Sequence, residues 1–143
     1  MDVIIGSDHA GYGMKEECKL FLEKETGHKV MDVGVFSRQS SDYPDIAGKV
    51  AKAIADGDYV RGILICGSGI GMSIAANRHR GVRAALCHNL YLARMSRQHN
   101  DANILVMGGR VIGAGLALEM VEIFLGTEFE GGRHKKRIDL IDC

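Results

Sequence analysis

A cysteine stands between a buried apolar run and a glycine-rich turn in the segment Gly62–Asn77. The run Gly62–Ile65 predicts a strand and Ile70–Asn77 a short helix, so Cys66 lies at the carboxyl end of the strand. In open α/β folds this edge of the sheet binds ligands. The turn offers backbone N–H groups to an anion, and the helix N-terminus adds partial positive charge. The segment combines a base or nucleophile with a place to hold negative charge, which indicates an enzyme.

The sequence leaves two roles open for Cys66. A helix N-terminus favours the thiolate, and a thiolate in a water-poor cleft is a competent general base. The alternative is a small buried hydrophobic residue that closes the strand, because free cysteine is often fully buried. The glycine turn directly after the cysteine favours the first role.

Three familiar motifs are absent around this cysteine. Gly67-Ser-Gly-Ile-Gly71 is not G-x-G-x-x-G, and no acidic residue follows about 20 positions on, which argues against a dinucleotide cofactor. The chain also lacks the G-x-x-x-x-G-K-[ST] pattern of an NTP-binding loop. A cysteine phosphatase needs an arginine to close the loop, whereas the sixth position after Cys66 is Met72. Covalent phosphoryl transfer through the cysteine is therefore disfavoured.

A second pair of chemical groups follows the first predicted strand. Asp8 and His9 stand within Gly6–Gly11 and fall at the same sheet edge as Cys66. A carboxylate beside an imidazole can move protons or hold sugar hydroxyls. The alternative is that Asp8 caps the next helix and His9 is an ordinary loop residue.

Further candidates stand in or beside other loops, at positions that we expect to be comparable to those of Asp8, His9 and Cys66. Tyr43 precedes Pro44, His99 and Asn100 end the fourth predicted helix, and Arg110 follows the glycines after the fifth strand. His99 is a candidate acid or base for opening a sugar ring. The simpler alternative is a cation at a helix C-terminus.

The last segment of the sequence carries basic residues at helical spacing. Arg133 and Arg137 are four apart and share one face of a helix, where two guanidinium groups make a good phosphate clamp. The alternatives are a solvated basic face or a weak nucleic-acid patch. The Lys135–Lys136 pair points off that face toward solvent.

Apolar runs alternate with helical patterns, and no linker, repeat or low-complexity tract divides the chain. Strands are predicted over Val3–Ile5, Lys29–Val33, Gly62–Ile65, Val82–Leu86 and Ile104–Met107. Helices are predicted over Met14–Lys24, Asp45–Ala55, Ile70–Asn77, Asn89–His99, Gly113–Leu125 and Arg133–Ile141. This alternation predicts a parallel sheet covered by helices on both faces. We expect a single domain over residues 1–143: a Rossmann-like three-layer α/β/α sandwich with a five-stranded parallel sheet.

Composition narrows the function classes. Apolar residues make up 46% and charged residues 25%, as in globular proteins, and 18 basic residues balance 18 acidic ones, which argues against a nucleic-acid binder. Met1–Gly6 is predicted to be a strand rather than a signal peptide, and no apolar run reaches the roughly 18–20 residues of a membrane span. The cysteines show no paired spacing, which favours a reduced cytoplasmic protein over a disulfide framework or a zinc site. They are Cys18, Cys66, Cys87 and Cys143.

Several segments together resemble the type B ribose-5-phosphate isomerases, which share a superfamily with galactose-6-phosphate and allose-6-phosphate isomerases. The resemblance spans nearly the whole chain. The segments that carry it are Gly6–Gly11, Ser41–Pro44, Cys66–Asn77, Gly81–Ala85, Ser96–Asn103 and Gly131–His134.

The resemblance implies an α/β/α sandwich that needs no metal or organic cofactor and a site shared between two subunits. Cys66 is then the base that moves a proton between C2 and C1 of the sugar, and His99 assists ring opening. The enediolate is held by Ser68 and by the amides of Gly67, Gly69, Ile70 and Gly71. The sugar oxygens are positioned by Asp8, Tyr43 and Asn100. The phosphate is bound by His9, Arg110, Arg133 and Arg137.

The chain departs from the family pattern at two positions. Many members have threonine where this chain has Ser68, and the hydroxyl is kept. Some members lack the cysteine and use a glutamate six positions later as the base. Here that position is Met72, which leaves Cys66 without a substitute.

The predicted helix Gly113–Leu125 is apolar almost all round, which indicates burial on more than one side. A subunit interface would cover the second side, and so would packing beneath the C-terminal tail. The resemblance favours a homodimer, with a tetramer as the further option, and a C-terminal helix at about 133–141 that reaches a partner subunit.

Ribose 5-phosphate and ribulose 5-phosphate are the expected substrate pair, with no nucleic acid or membrane as partner. A six-carbon substrate, allose 6-phosphate or galactose 6-phosphate, is the alternative for an enzyme. A non-catalytic sugar-phosphate sensor is the alternative outside enzymes, because such scaffolds host many functions.

Overall fold

A computed structural model describes residues 1–142 of the chain, so Cys143 lies outside the described residues. Five strands form one sheet in the order β2-β1-β3-β5-β4, and every neighbouring pair is parallel. The strands are β1 Asp2–Ser7, β2 Lys29–Asp32, β3 Arg61–Cys66, β4 Ala84–Leu86 and β5 Ile104–Gly108. The predicted five-stranded parallel sheet is therefore confirmed.

Helices cover both faces of the sheet and complete the predicted three layers. Side chains alternate along each central strand, so Ile5 and Ile63 face one hydrophobic core whereas Ile4 and Leu64 face the other. The first core includes residues of α1, α4 and α5, and the second includes residues of α2 and α3. The helices are α1 Tyr12–Phe21, α2 Tyr43–Ala55, α3 Ile70–Ala76, α4 Leu90–Gln98, α5 Ala114–Gly126 and α6 Arg133–Ile141.

Some predicted boundaries shift for local reasons. Helix α1 continues into a π-helical turn over Leu22–Thr26, which ends at Gly27 in a left-handed conformation (φ 72°). Strand β4 begins at Ala84 rather than at Val82. The amide of Arg83 donates to the side chain of Asn103 instead of a neighbouring strand. None of the described helices is both long and apolar enough to cross a bilayer.

Contacts within the chain explain why α5 carries apolar residues on almost every side. Helix α5 packs mainly against α4 and α1 and rests on β5. It buries Ala117, Met120, Val121 and Phe124 among these neighbours. Helices on two sides and a sheet beneath account for its composition, so α5 gives no support for a subunit interface.

A buried ion pair holds α1 to the end of β2. The Lys15 side chain is fully buried, and its Nζ lies 2.6 Å from Asp32 Oδ2 and 2.9 Å from Glu16 Oε1. Burial raises the pKa of Asp32, but hydrogen bonds from Lys15, the Gly34 amide and Lys19 outweigh burial and hold that pKa below its ordinary value. The folded state therefore favours the ionised carboxylate.

We expect Asp32→Asn to lower the free energy of unfolding by about 3 kcal/mol near neutral pH, because the Lys15 ammonium loses its main counter-charge. The carboxylate's contribution is complete above the unfolded-state pKa of about 4 and is lost as pH falls through the lower folded-state pKa. The gap between wild type and variant should therefore shrink in acid. Urea denaturation near neutral pH and near pH 3 measures both effects.

The exposed Lys52–Asp56 pair supplies a matched control, because it joins the same two residue types in solvent. Asp56→Asn is expected to cost less than about 1 kcal/mol. Equal losses for the two variants would show that burial of Lys15 does not set the effect.

Candidate active site

A cleft opens at the carboxyl ends of β1 and β3, where the connections from these two strands leave toward opposite sides of the sheet. Strands β1 and β3 are neighbours, and the chain leaves β1 toward β2 on one side and β3 toward β4 on the other. Ligands bind at such switch points in open α/β sheets. The cleft has a volume of about 620 Å³. Its lining comprises Asp8, His9, Ala10, Tyr43, Cys66, Gly67, Ser68, Ile70, Gly71, Ile74, Arg110 and Val111.

Cys66 lines this cleft, and its sulfur faces the glycine turn. Its Sγ accepts a hydrogen bond from the amide of Gly69 at 3.1 Å, and the residue is 5% exposed. A backbone N–H donor is thus aimed at the sulfur. The placement meets the geometric requirement for a base that acts within the cleft.

The glycine turn accepts no side chain at Gly69. Its φ is 83°, and an added Cβ would lie 2.5 Å from Leu86 Cδ1 and 3.1 Å from the Met107 carbonyl carbon. Only glycine combines this backbone conformation with so close an approach. The tight packing aims the Gly69 amide at the sulfur.

Unpaired donors lie beside the sulfur. The amide N–H groups of Gly67 and Ser68 make no hydrogen bond within residues 1–142, and the Ser68 hydroxyl accepts one from the amide of Ile70 at 3.2 Å. The Tyr43 ring packs over Gly71, where an added Cβ would lie 2.6 Å from the ring. The turn therefore presents free donors to an anion, beneath an aromatic ring.

Asp8 combines the two roles that the sequence left open. Its Oδ1 accepts hydrogen bonds from the amides of Ala10 and Gly11 at 3.0 and 3.1 Å, which stabilises the turn into α1. The side chain also lines the cleft. Within residues 1–142, Oδ2 makes no hydrogen bond, so it is available to a hydroxyl group in the cleft.

His9 is held by a reciprocal pair of hydrogen bonds with Ser41. The His9 amide donates to Ser41 Oγ, and the Ser41 amide donates to His9 Nδ1, both at 3.1 Å. Because a backbone N–H only donates, Nδ1 is the acceptor and Nε2 carries the proton of the neutral ring. His9 thus offers one fixed donor at Nε2.

Arg110 reaches the cleft from the turn after β5. The amides of Gly109 and Arg110 donate to the carbonyls of Cys66 and Gly67 at 2.8 and 2.9 Å, which locks the two turns together. The guanidinium then lies close to Gly67, where an added Cβ would be 3.4 Å from Nη1. A positive charge therefore stands beside the free amides.

Four predicted site residues lie elsewhere in the chain. His99 ends α4 and Asn100 follows it, so both precede β5 and fall at the amino edge of the sheet. Arg133 and Arg137 are exposed on α6. The expectation that His99 and Asn100 fall at the same sheet edge as Cys66 is wrong, because a residue just before a strand lies at the opposite edge from a residue just after one.

The structure adds residues that the sequence did not single out. Ile74 and Val111 form an apolar rim of the cleft, and each is more than half exposed. Ile74 lies one helical turn after Ile70, a spacing that could have indicated a shared face. Ser41 and His134 gave no such signal, because their contacts join distant parts of the chain.

The fold and this cleft define an α/β enzyme that binds its ligand at the switch point of a parallel sheet. Residues 3–141 match the ribose/galactose isomerase family. The chain therefore belongs to this family, which confirms the resemblance drawn from its motifs, and it is an aldose–ketose isomerase.

Individual relatives are similar to this chain over nearly its whole length. Ribose-5-phosphate isomerase B of Escherichia coli is 47% identical over 139 residues, which are 97% of this chain and 93% of the relative. Ribose-5-phosphate isomerase B of Clostridium thermocellum has a TM-score of 0.97 and 53% identity, covering 99% of this chain and 95% of that one. A ribose 5-phosphate isomerase of Thermotoga maritima has a TM-score of 0.96 and 52% identity, with coverages of 99% and 97%.

Proposed function

We propose that this protein interconverts ribose 5-phosphate and ribulose 5-phosphate by proton transfer through an enediolate. The observation that carries the proposal is the Cys66 sulfur in the cleft, held by the Gly69 amide beside the free amides of Gly67 and Ser68. Relatives named for ribose 5-phosphate match along almost all of the chain. The reaction belongs to the pentose phosphate pathway.

The proton moves between neighbouring carbons of the open-chain sugar. The Cys66 thiolate removes the proton from C2 of the aldose, and the electron pair moves through the C1–C2 bond to place negative charge on O1. The same thiol returns the proton to C1 while the O2 hydroxyl passes its proton to O1, which gives the ketose. Donors aimed at the oxyanion supply a large share of such catalysis, about 2.7–4 kcal/mol for one group.

The remaining cleft residues orient the substrate. Asp8 and Tyr43 hold sugar oxygens, and Arg110 and the Nε2–H of His9 hold the phosphate. The phosphate is remote from the reacting carbons, so its binding energy keeps them in register with the sulfur. Base, oxyanion donors and clamp all come from the chain, so the proposed steps need no metal or organic cofactor.

A second copy of the chain completes the site. His99, Asn100, Arg133 and Arg137 lie at the other end of the sheet from Cys66, and the cleft is rimmed by exposed Ile70, Ile74 and Val111. An isologous dimer that seats the amino edge and α6 of one copy over the cleft of the other brings both sets together twice. We infer a homodimer in which α6 of a single domain, residues 1–143, reaches its partner; paired dimers would form a tetramer.

We place the enzyme in the cytoplasm and assign it no nucleic-acid partner. The cysteines within residues 1–142 are free and buried, as expected in a reducing compartment. The formal net charge is zero, which supports no general attraction to nucleic acid.

Incubation with ribose 5-phosphate in deuterated water tests the function directly. An isomerase forms ribulose 5-phosphate and places deuterium at C1, whereas a sensor binds the sugar and leaves it unlabelled. A panel with allose 6-phosphate and galactose 6-phosphate tests the choice of substrate. A higher kcat/KM on a six-carbon sugar would overturn the assignment to ribose.

We expect Arg137→Ala to raise KM for ribose 5-phosphate by roughly 10–100-fold, because one charge-assisted phosphate contact is lost. Within residues 1–142 the Arg137 guanidinium makes no hydrogen bond or ion pair, so the change breaks no polar contact there. The exposed neighbour Lys136 is the matched control, and Lys136→Ala should leave KM near that of the wild type. An unaltered KM in Arg137→Ala would remove α6 from the phosphate clamp.

A further inference from the structure

Two histidine rings are stacked at the end of α4. The rings of His99 and His134 lie with centroids 4.2 Å apart and planes inclined by 13°. His134 is only 4% exposed, whereas His99 is partly exposed. His134 Nε2 lies 3.4 Å from Glu130 Oε2. The buried ring is therefore a platform, and the outer ring rests on it.

The segment that leads into α6 sets the position of the His134 ring. The Glu130 amide donates to the Gln98 carbonyl at 3.1 Å, which pins the incoming segment to α4. Gly131 and Gly132 then turn the chain with φ of 68° and 57°, conformations that side chains disfavour. Helix α6 buries His134 and, one turn later, Ile138. The turn thus sets which face of α6 meets α4.

Burial and the neighbouring charges disfavour a proton on the inner ring. Burial lowers the pKa of His134, and the charges of His99, Arg133 and Arg137 lower it further against the opposing effect of Glu130. The inner ring therefore favours its neutral form more than a free histidine does. A cation above a neutral aromatic ring is attracted to it, whereas two cationic rings repel each other.

A metal ion is a poor explanation for this cluster. The ligand atoms of His99, Glu130 and His134 lie within 4.8 Å of one another. A metal ion lies near the plane of each imidazole that binds it, about 2.0–2.1 Å from the nitrogen. Two nearly parallel stacked rings do not share such a point. The stack suits an oriented proton donor better than a coordination site.

We propose that His134 is a positioning residue for sugar-ring opening, because it carries the His99 ring at a fixed orientation toward the partner's cleft. The inference rests on the proposed function and its shared site. In this step the C1–O4 bond of the furanose breaks, O4 takes a proton from His99, and the O1 hydroxyl releases its proton to water. His99 regains a proton from solvent, so the balance of atoms and charge is kept.

Ribulose 5-phosphate separates ring opening from the later proton transfer. Its O5 is phosphorylated, so the ketose forms no furanose ring, and deuterium exchange at its C1 needs only the enediolate step. We expect His134→Ala to lower kcat on ribose 5-phosphate by roughly 10–100-fold, the scale of a misplaced catalytic group. Exchange at C1 of ribulose 5-phosphate should stay within about two-fold of wild type.

His134→Phe is the matched variant because it keeps a flat ring. It should recover most of the activity on ribose 5-phosphate, and Lys135→Ala, at an exposed neighbour, should resemble wild type. If His134→Ala does not fold, His134→Leu fills the space without a flat ring and carries the same expectation. Equal loss of conversion and exchange, or no loss of either, would overturn the role of His134. Absence of exchange in the wild type would instead overturn the proposed function.

Discussion

Cys66→Ala is expected to lower kcat for ribose 5-phosphate by roughly 10²–10⁴-fold, the contribution of a positioned general base. The sulfur is the basic group that the Gly69 amide holds beside the free donors of the turn, and Met72 cannot replace it. Binding should survive, because the phosphate contacts lie elsewhere in the cleft. Isomerase assays give kcat, and calorimetric titration with ribose 5-phosphate gives the affinity.

Cys87→Ala is a matched control for this variant. Cys87 directly follows β4, as Cys66 ends β3, and it is also buried. Burial raises the pKa of Cys87 to about 11 against a smaller opposing effect of Ser96, so this thiol stays protonated. Its removal should leave kcat near that of the wild type. Wild-type turnover in Cys66→Ala would remove the thiol from the mechanism.

Two inactive variants should restore activity when their subunits are mixed. In a dimer of Cys66→Ala with His99→Ala, one site collects both substitutions and the other collects none. Random pairing makes half of the dimers mixed, so about a quarter of wild-type activity returns. Subunit exchange under mild denaturant followed by assay on ribose 5-phosphate measures the recovery.

The double variant Cys66→Ala/His99→Ala provides the control for that experiment. Mixed with Cys66→Ala, it leaves no site with an intact cysteine, and no activity should return. Failure of the two single variants to complement each other would contradict the shared site.

The layered fold was predictable because its signals are local. Central parallel strands are buried on both faces, so β1, β3 and β5 have continuous apolar runs. The edge strand β4 is three residues long, and its predicted start at Val82 was wrong. There Arg83 bonds to the Asn100 carbonyl and to Asp142, contacts with distant residues that no local pattern reveals.

The half of the site around Cys66 was predictable for a related reason. Asp8 and Cys66 each follow an apolar run, and the carboxyl ends of parallel strands share one edge. The other half of the proposed site was reached only through the resemblance, because a contact between residues of two copies would leave no trace in the spacing of residues along one chain. His134 stacks on His99 because a turn brings α6 back to α4. No local pattern predicts that turn, so the sequence did not reveal His134 as the partner of His99.

The three cysteines within residues 1–142 differ in chemical accessibility. Cys18 and Cys87 lie in the hydrophobic core, where burial raises their pKa to about 12 and about 11. Cys66 alone of the three lines the cleft. A thiolate there is also the group that peroxide or an electrophile attacks first. We therefore expect peroxide to stop turnover until a reductant restores the thiol, since a sulfenic acid cannot act as the base.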